Sequence, residues 1–370
     1  MNRKKNIING IISAVFGLGA FIAVLFIKKV FNSDSFFVTA LLLFVGAIIS
    51  LLIITAIHEI GHLISGKKNG FKFVSFTIWF LRWKKVGKET RFSFAPFSDA
   101  MGYTEMVPNG SENLEQRFIN LTRGGVLANV ISMFLFIVPL FFVDSGVLLC
   151  FICPLFPLSL YYVLDNLLPT NKNGVRNDGG VIFGIKNQDD ESKVLLSVLN
   201  IQSKMVEGLT PSQIDESLYF DLPQLPEDNQ YFINLLSLRY NYYLDKEDYE
   251  NASKVLDRIG SLADYMPNDL YNYFRVEELY RACTYCFDPK LADELTYELE
   301  KHLNNVNSVE NVRAKLAYIL YVVKDEIDFE EFYKKGIREA KRLVVNGQRD
   351  YEIKFFDKMK KDFPKTSENE

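Results

Sequence analysis

Between Phe36 and Ile57 the chain runs 22 residues without a charge and then enters His58-Glu59-Ile60-Gly61-His62. A run of this length and composition fits a helix crossing a bilayer, which takes ~20 apolar residues. Three more stretches are long enough, at about Asn6–Ile27, Gly124–Val143 and Gly146–Leu168, the last interrupted only by Asp165. Four membrane helices are therefore expected, and an evenly mixed soluble globule is excluded. The first stretch follows Arg3, Lys4 and Lys5, as a signal peptide would. Its apolar run is too long for that, and Ile27-Lys28-Lys29 follows it instead of a small-residue cleavage site, so it reads as a retained anchor.

Charge divides the chain in two. Residues 1–184 carry 17 Lys and Arg against 10 Asp and Glu, whereas residues 185–370 carry 25 against 36. The first half is too apolar for disorder. Four cysteines in 370 residues do not make a disulfide scaffold. Nucleic acid is not an expected partner, because the polar half is acidic and the basic excess lies beside the apolar runs. Ten Lys and Arg from Lys67 to Arg123 separate the second and third stretches, which puts that loop in the cytoplasm. The N-terminus and the acidic second half follow it there. Within the loop, Phe71 to Trp83 is rich in aromatic and β-branched residues, Gly87 suits a turn, and Thr90 to Ala95 alternates polar and apolar. A β-hairpin or small sheet over about 70–107, at the membrane surface, is expected.

On a helix, His58 and His62 share a face. Two imidazoles so placed can hold one divalent ion, and zinc suits them, leaving an open position for water. Glu59 beside the first His would act as general base on that water, whose pKa the metal lowers toward ~7. The pattern HExxH is a known zinc-protease signature. The bland alternative is a pair of histidines ending a membrane helix at the interface. Ionisable groups at the end of so long an uncharged run mark function by default. The chain has three histidines, and two are here; His302 reads as a surface residue. A tetrahedral site needs a third protein ligand. Asp165, inside the fourth stretch, and Asp178, in Asn177-Asp178-Gly179-Gly180, both end on the required side, and spacing does not separate them.

With HEIGH on one membrane helix, Gly124-Gly-Val-Leu-Ala-Asn129 opening the next, and Asn166-Leu-Leu-Pro169 followed by Asp178-Gly179-Gly180, the sequence resembles the site-2 protease family of intramembrane zinc metalloproteases, peptidase family M50. Met101-Gly102-Tyr103-Thr104-Glu105-Met106 resembles the family's G-Y-x-x-M stretch. The resemblance implies one zinc ion held by His58, His62 and Asp178, Glu59 as catalytic base, and Asn129 and Asn166 lining the site. It implies cleavage of membrane-bound substrates in or near their transmembrane segments. Those substrates would be transcription regulators, signal-peptide remnants or pheromone precursors. Gly125 stands where the family usually has Pro, Asn177 where it has Leu, and eight residues separate Pro169 from Asp178. The resemblance spans about residues 36–185. A substrate segment must unwind before its peptide bond can react, and strand addition to a sheet edge in the 71–95 region would supply new backbone partners.

From about Gln188 onward the apolar residues fall at helical spacing, for example Leu236, Tyr240, Tyr243 and Leu244. Short turns recur at Leu244–Tyr249, Phe287–Leu291 and Lys324–Phe329, roughly forty residues apart. This resembles degenerate tetratricopeptide (TPR)-like helix pairs; a plain helical bundle is the alternative. Cys150/Cys153 and Cys283/Cys286 lie in different halves, cannot meet on one ion, and read as buried thiols. The expected architecture is thus mainly α: a polytopic metalloprotease-like membrane bundle with a small β insertion over 1–186, an all-α TPR-like cytoplasmic domain over 187–365, and a disordered tail over 366–370. Its partners would be the lipid bilayer, a membrane-protein or membrane-peptide substrate and a cytoplasmic protein bound by the helical domain. The absence of organelle-targeting signals and the compact size favour a prokaryotic plasma membrane. The competing reading is a catalytically silent membrane scaffold acting through its helical domain, against which the intact base Glu59 argues.

Overall fold

The structure, a computed structural model, describes residues 36–95, 101–172, 175–266, 268–305 and 308–363. The expected first membrane segment and the 366–370 tail lie outside these residues. Among the described residues three helical stretches are long and apolar enough to cross a membrane, Phe37–Lys68, Leu114–Phe141 and Gly146–Leu167. The chain is mainly helical, with one small antiparallel sheet.

Helix α1 spans Phe36–Lys68 and carries the apolar run through HEIGH without a break. Its residues sort by face. Phe37, Leu41, Phe44, Ile49 and Ile53 are exposed, whereas Ser50, Ile54, Thr55, His58 and His62 are buried. Large apolar side chains turn outward and small or polar ones inward. That is the order expected where the outer solvent is lipid and association depends on close backbone approach. Helix α2, Leu114–Ile137, starts ten residues before the apolar stretch that marked it, because its first turns are polar and pack on protein. Gly61 of α1 and Gly124 of α2 meet backbone to backbone: a Cβ on Gly61 would lie 2.7 Å from Ala128 Cβ, and one on Gly124 2.5 Å from Ser65 Cβ. The two glycines let α2 press directly on the HEIGH turn. The last span is broken into α3 (Gly146–Ile152) and α4 (Leu155–Leu167) beside Pro154, which cannot donate a helical hydrogen bond.

Between α1 and α2 the chain forms β1 (Phe71–Ile78), β2 (Leu81–Val86), β3 (Glu89–Phe94) and β4 (Gly102–Pro108). The sheet order is β3-β2-β1-β4, all antiparallel, with a bulge in β1 between Phe73 and Ser75. The expected hairpin is thus the outer part of a four-stranded sheet. Its edge beside the helices is β4, not a strand of the 71–95 region. Arg117 ties this end of the bundle together. Its guanidinium donates to the carbonyls of Asn69 (2.7 Å), Gly70 (2.9 Å), Asn109 (3.0 Å), Gly110 (2.8 Å) and Glu112 (3.1 Å), joining the turn after α1 to the loop before α2.

After α4 a two-stranded hairpin, β5 (Asn171–Lys172) and β6 (Val175–Arg176), leads into α5 (Asp178–Asn187) and α6 (Asp190–Glu207). Leu195, Leu196 and Leu199 of α6 pack with Phe71, Met106, Leu114 and Leu121, so the helical half is seated on the end of the bundle that bears HEIGH. The rest is a succession of helices: α7 (Ser217–Phe220), α8 (Gln230–Asp245), α9 (Tyr249–Gly260), α10 (Asn268–Cys283), α11 (Pro289–Glu298), α12 (Glu300–Asn305), α13 (Val309–Tyr318), α14 (Glu326–Ala340) and α15 (Asn346–Asp362). The three turns read from the sequence fall between α8 and α9, between α10 and α11, and just before α14. Helix α15 returns to pack on α6 and α13. One expectation is corrected here. Cys286 is exposed while the other three thiols are buried, because α10 ends at Cys283 and Cys286 lies in the turn beyond it. His302, on α12, is partly exposed.

Candidate metal centre

One helical turn separates His58 from His62, and their Nε2 atoms lie 3.0 Å apart. Asp178, the first residue of α5, places Oδ2 3.3 Å from His58 Nε2 and 3.2 Å from His62 Nε2. Among the described residues this is the His/Cys/Asp/Glu group whose ligand atoms converge as a metal site requires. Asp165, the other aspartate the sequence left open, is not part of it. Both histidines are buried, and Asp178 Oδ2 has no hydrogen-bond donor. A buried, unpartnered carboxylate oxygen facing two imidazole nitrogens is costly unless a cation or proton joins them. The three atoms are spaced 3.0 to 3.3 Å apart, as three ligands of one small divalent ion such as zinc would be. The residues fit the metal.

The imidazoles are set from behind. His62 Nδ1 lies 3.1 Å from the Leu121 carbonyl, to which it donates, so Nε2 keeps its lone pair. His58 Nδ1 lies 3.2 Å from the Asn129 side-chain amide, which is fully buried. The amide atom nearest the ring is Asn129 Nδ2. A lone pair on His58 Nε2 requires Nδ1–H to donate, so the amide turned with its oxygen to the ring is the orientation that fits a metal, and it gives the otherwise unpartnered Oδ1 a donor. Tyr162 of α4 packs edge-on against His58 at 5.4 Å between centroids, and its hydroxyl meets Thr55 Oγ1 at 3.2 Å. Gly125, where the family usually has Pro, lies against the Nε2–Cε1 edges of the rings. A Cβ there would meet His62 Nε2 and lie 2.7 Å from His62 Cε1 and 2.8 Å from His58 Cε1, so a larger residue here requires the rings or the helix to shift.

Glu59 is buried beside this group. Thr104 of β4 donates from Oγ1 to Glu59 Oε2 at 2.6 Å. The sequence did not single out Thr104 or Tyr162; only the variable positions of the G-Y-x-x-M stretch hinted at the first. The bond from Trp79 N–H to the Met101 carbonyl, 2.7 Å, makes these two a hydrogen-bonded pair. Alternation along the antiparallel ladder then turns the backbone groups of Gly102 and Thr104 away from β1. The free edge of the sheet therefore runs past Glu59.

The eight residues before Asp178 are absorbed by the β5–β6 hairpin, and Asn177 closes the loop. Its Oδ1 accepts from Thr170 N and Gly180 N, both at 2.9 Å, and its Nδ2 donates to the Leu168 carbonyl at 2.7 Å and to that of Asp165. The residue that departs from the family pattern thus caps α5 and joins it to the end of α4. Arg176 adds ion pairs to Asp189 (2.9 Å) and Glu191 (2.5 Å), tying the hairpin to the start of α6. Asn166, expected to line the site, donates its amide to the Tyr162 carbonyl of its own helix at 3.0 Å, and none of its hydrogen bonds reaches the histidines.

The family model described as peptidase family M50 matches residues 46–364. The chain belongs to peptidase family M50. The match reaches well past the membrane bundle, taking in most of the helical half that the sequence motifs left uncovered. No curated protein and no solved structure matches the chain. Membership makes it a membrane-embedded protein of an intramembrane metallopeptidase family that is generally zinc-dependent, and the His58–His62–Asp178 group is compatible with that metal.

Proposed function

We propose that this M50 member is an active zinc endopeptidase that hydrolyses peptide bonds in or near transmembrane segments of membrane-bound proteins or peptides. The observation that carries the reading is the convergence of His58, His62 and Asp178 next to a buried Glu59 whose carboxylate is held by Thr104. His58 Nε2, His62 Nε2 and Asp178 Oδ2 would hold the ion, which when bound supplies Lewis acidity toward water and the scissile carbonyl. Glu59 takes the proton of the attacking water and returns it to the amide nitrogen as that nitrogen leaves. Thr104 keeps the carboxylate turned toward the site. Leu121 and Asn129 keep both rings in the tautomer that offers Nε2. Purified protein is expected to carry about one zinc per chain, and chelation should abolish cleavage of a co-reconstituted membrane substrate until zinc is restored. Full cleavage by metal-free protein would remove the reading.

The extended substrate is proposed to add as a strand to β4, whose outward backbone groups at Gly102 and Thr104 lie beside Glu59. Thr104→Val keeps the outward N–H and removes the hydroxyl; Thr104→Pro removes both. The proline variant should cleave about 10²-fold more slowly than the valine variant. Equal rates would exclude strand addition here.

The helical half is proposed to lie in the cytoplasm of a prokaryotic cell as a TPR-like module for a protein partner. Its support is the basic residues around the sheet and the seating of α6 at the HEIGH end of the bundle. Cys286, the exposed thiol, should react with a membrane-impermeant maleimide only once the cell membrane has been opened. Labelling on intact cells would reverse the orientation.

A further inference from the structure

Away from the metal centre, the helical half forms a partly open cavity of about 150 Å³ where α6, α8, α10, α13 and α15 meet. Amide side chains reach it from three helices, Gln202, Asn241 and Gln348, and aromatic rings from two, Tyr273 and Tyr351. Its charged lining is acidic, Glu310 and Glu352. Glu352 is 2% exposed. Behind it lies Arg313, itself 1% exposed, which pairs with Glu277 at 2.7 Å and approaches Glu352 Oε2 at 3.0 Å from Nε. That second approach is out of line, so Glu352 Oε2, Arg313 Nε and Arg313 Nη1 all lack a hydrogen-bond partner. The guanidinium is instead packed against the rings of Tyr280 (4.4 Å) and Phe355 (5.0 Å).

One guanidinium thus stands between two buried carboxylates, Glu277 and Glu352, with a third, half-buried Glu310, beside Glu352 on the cavity wall. Buried charges of one sign are stable only when paired, and here one cation serves two buried carboxylates. Burial pushes the Glu352 carboxyl up despite the pull of Arg313, with Glu310 and Glu277 adding to the rise. Glu277 is raised in the same way, by burial and Glu310 against Arg313.

We propose that this cavity binds a small organic amine in its protonated form. The ammonium would meet Glu352 and Glu310, the rings of Tyr273 and Tyr351 suit a cation over their faces, and the amides accept the remaining N–H groups. The volume equals that of a cavity known to admit benzene, so about six non-hydrogen atoms fit, more than a bare inorganic ion needs. Leu195 and Leu199, one to two turns nearer the start of the same helix α6, pack with Phe71 and Met106 of the sheet, so one helix links the cavity to the sheet that carries Thr104.

The test uses the full-length protein in detergent, with putrescine as probe and its neutral analogue butane-1,4-diol as control. Calorimetry and thermal melting should give saturable binding of putrescine at millimolar concentration or below and none of the diol. Glu352→Gln and Glu310→Gln should each weaken binding by about tenfold or more. Glu310 is half-buried and outside the Arg313 pairs, so its variant keeps the test decisive if Glu352→Gln does not fold. Absence of saturable putrescine binding, equal binding of the diol, an unchanged affinity in Glu310→Gln, or the same saturable stabilisation by potassium or magnesium chloride at matched ionic strength would each overturn the proposal.

Discussion

Glu59→Gln protein is expected to keep its zinc and to lose cleavage by about 10³-fold, the usual worth of a positioned general base. The amide retains the size of the side chain and its place against Thr104, so the imidazoles and Asp178 keep their geometry. What is lost is the capacity to take a proton. The measurement is zinc stoichiometry beside turnover of a membrane-anchored substrate in the same preparation. Zinc retained with turnover lost fits the assignment. Zinc retained with turnover unchanged would show that Glu59 is not the base and that another group, or no group, moves the proton. The variant also gives a means of trapping the substrate, because a bound but uncleaved segment can be recovered and sequenced.

The second large effect is expected at a residue that carries no chemistry. Gly125→Ala should reduce cleavage by about 10²-fold, a misplacement of the order of an ångström being enough for that loss. The added methyl would lie 2.7 Å from His62 Cε1 and 2.8 Å from His58 Cε1. Neither ring can retreat easily. His62 is held by the Leu121 carbonyl and His58 by Asn129, and α2 is held on α1 by the Gly61–Gly124 contact. The rings must therefore turn or the helices part, and zinc affinity should fall together with activity. That joint loss separates Gly125→Ala from Glu59→Gln. A variant with normal zinc content and normal turnover would mean that the bundle yields at this point, and that the close approach of Gly125 is not what sets the rings.

The helices were legible to different degrees for physical reasons. An uncharged run of 22 residues ending in HEIGH can hardly be anything but a membrane helix with a polar end, and α1 carries it through to Lys68. The start of α2 was not legible, because a hydropathy pattern finds the lipid-facing part of a helix and misses polar turns that pack on protein. The sheet was expected from its aromatic and β-branched content, but not its fourth strand. Gly102 to Pro108 looks unremarkable in sequence and becomes an edge strand only through pairing with β1 across 24 to 37 positions. Cys286 was misread because the boundary of α10, not local composition, decides its exposure.

By itself the sequence determined which side chains share a helical face. His58 and His62 lie four apart on an apolar helix, so their common direction follows from backbone geometry alone. It also named two aspartates for one place. The family resemblance favoured Asp178 over Asp165, and the tertiary structure shows Asp178 as the carboxylate that meets the imidazoles. Residues 165 and 178 are joined by a turn and hairpin, and the direction in which the chain re-enters the bundle depends on the cross-links that Asn177 makes to both ends. Such a closure is a property of contacts between elements, which local spacing does not encode. The same holds for Thr104 on Glu59, a strand and a helix brought together by packing and by nothing that either segment contains alone.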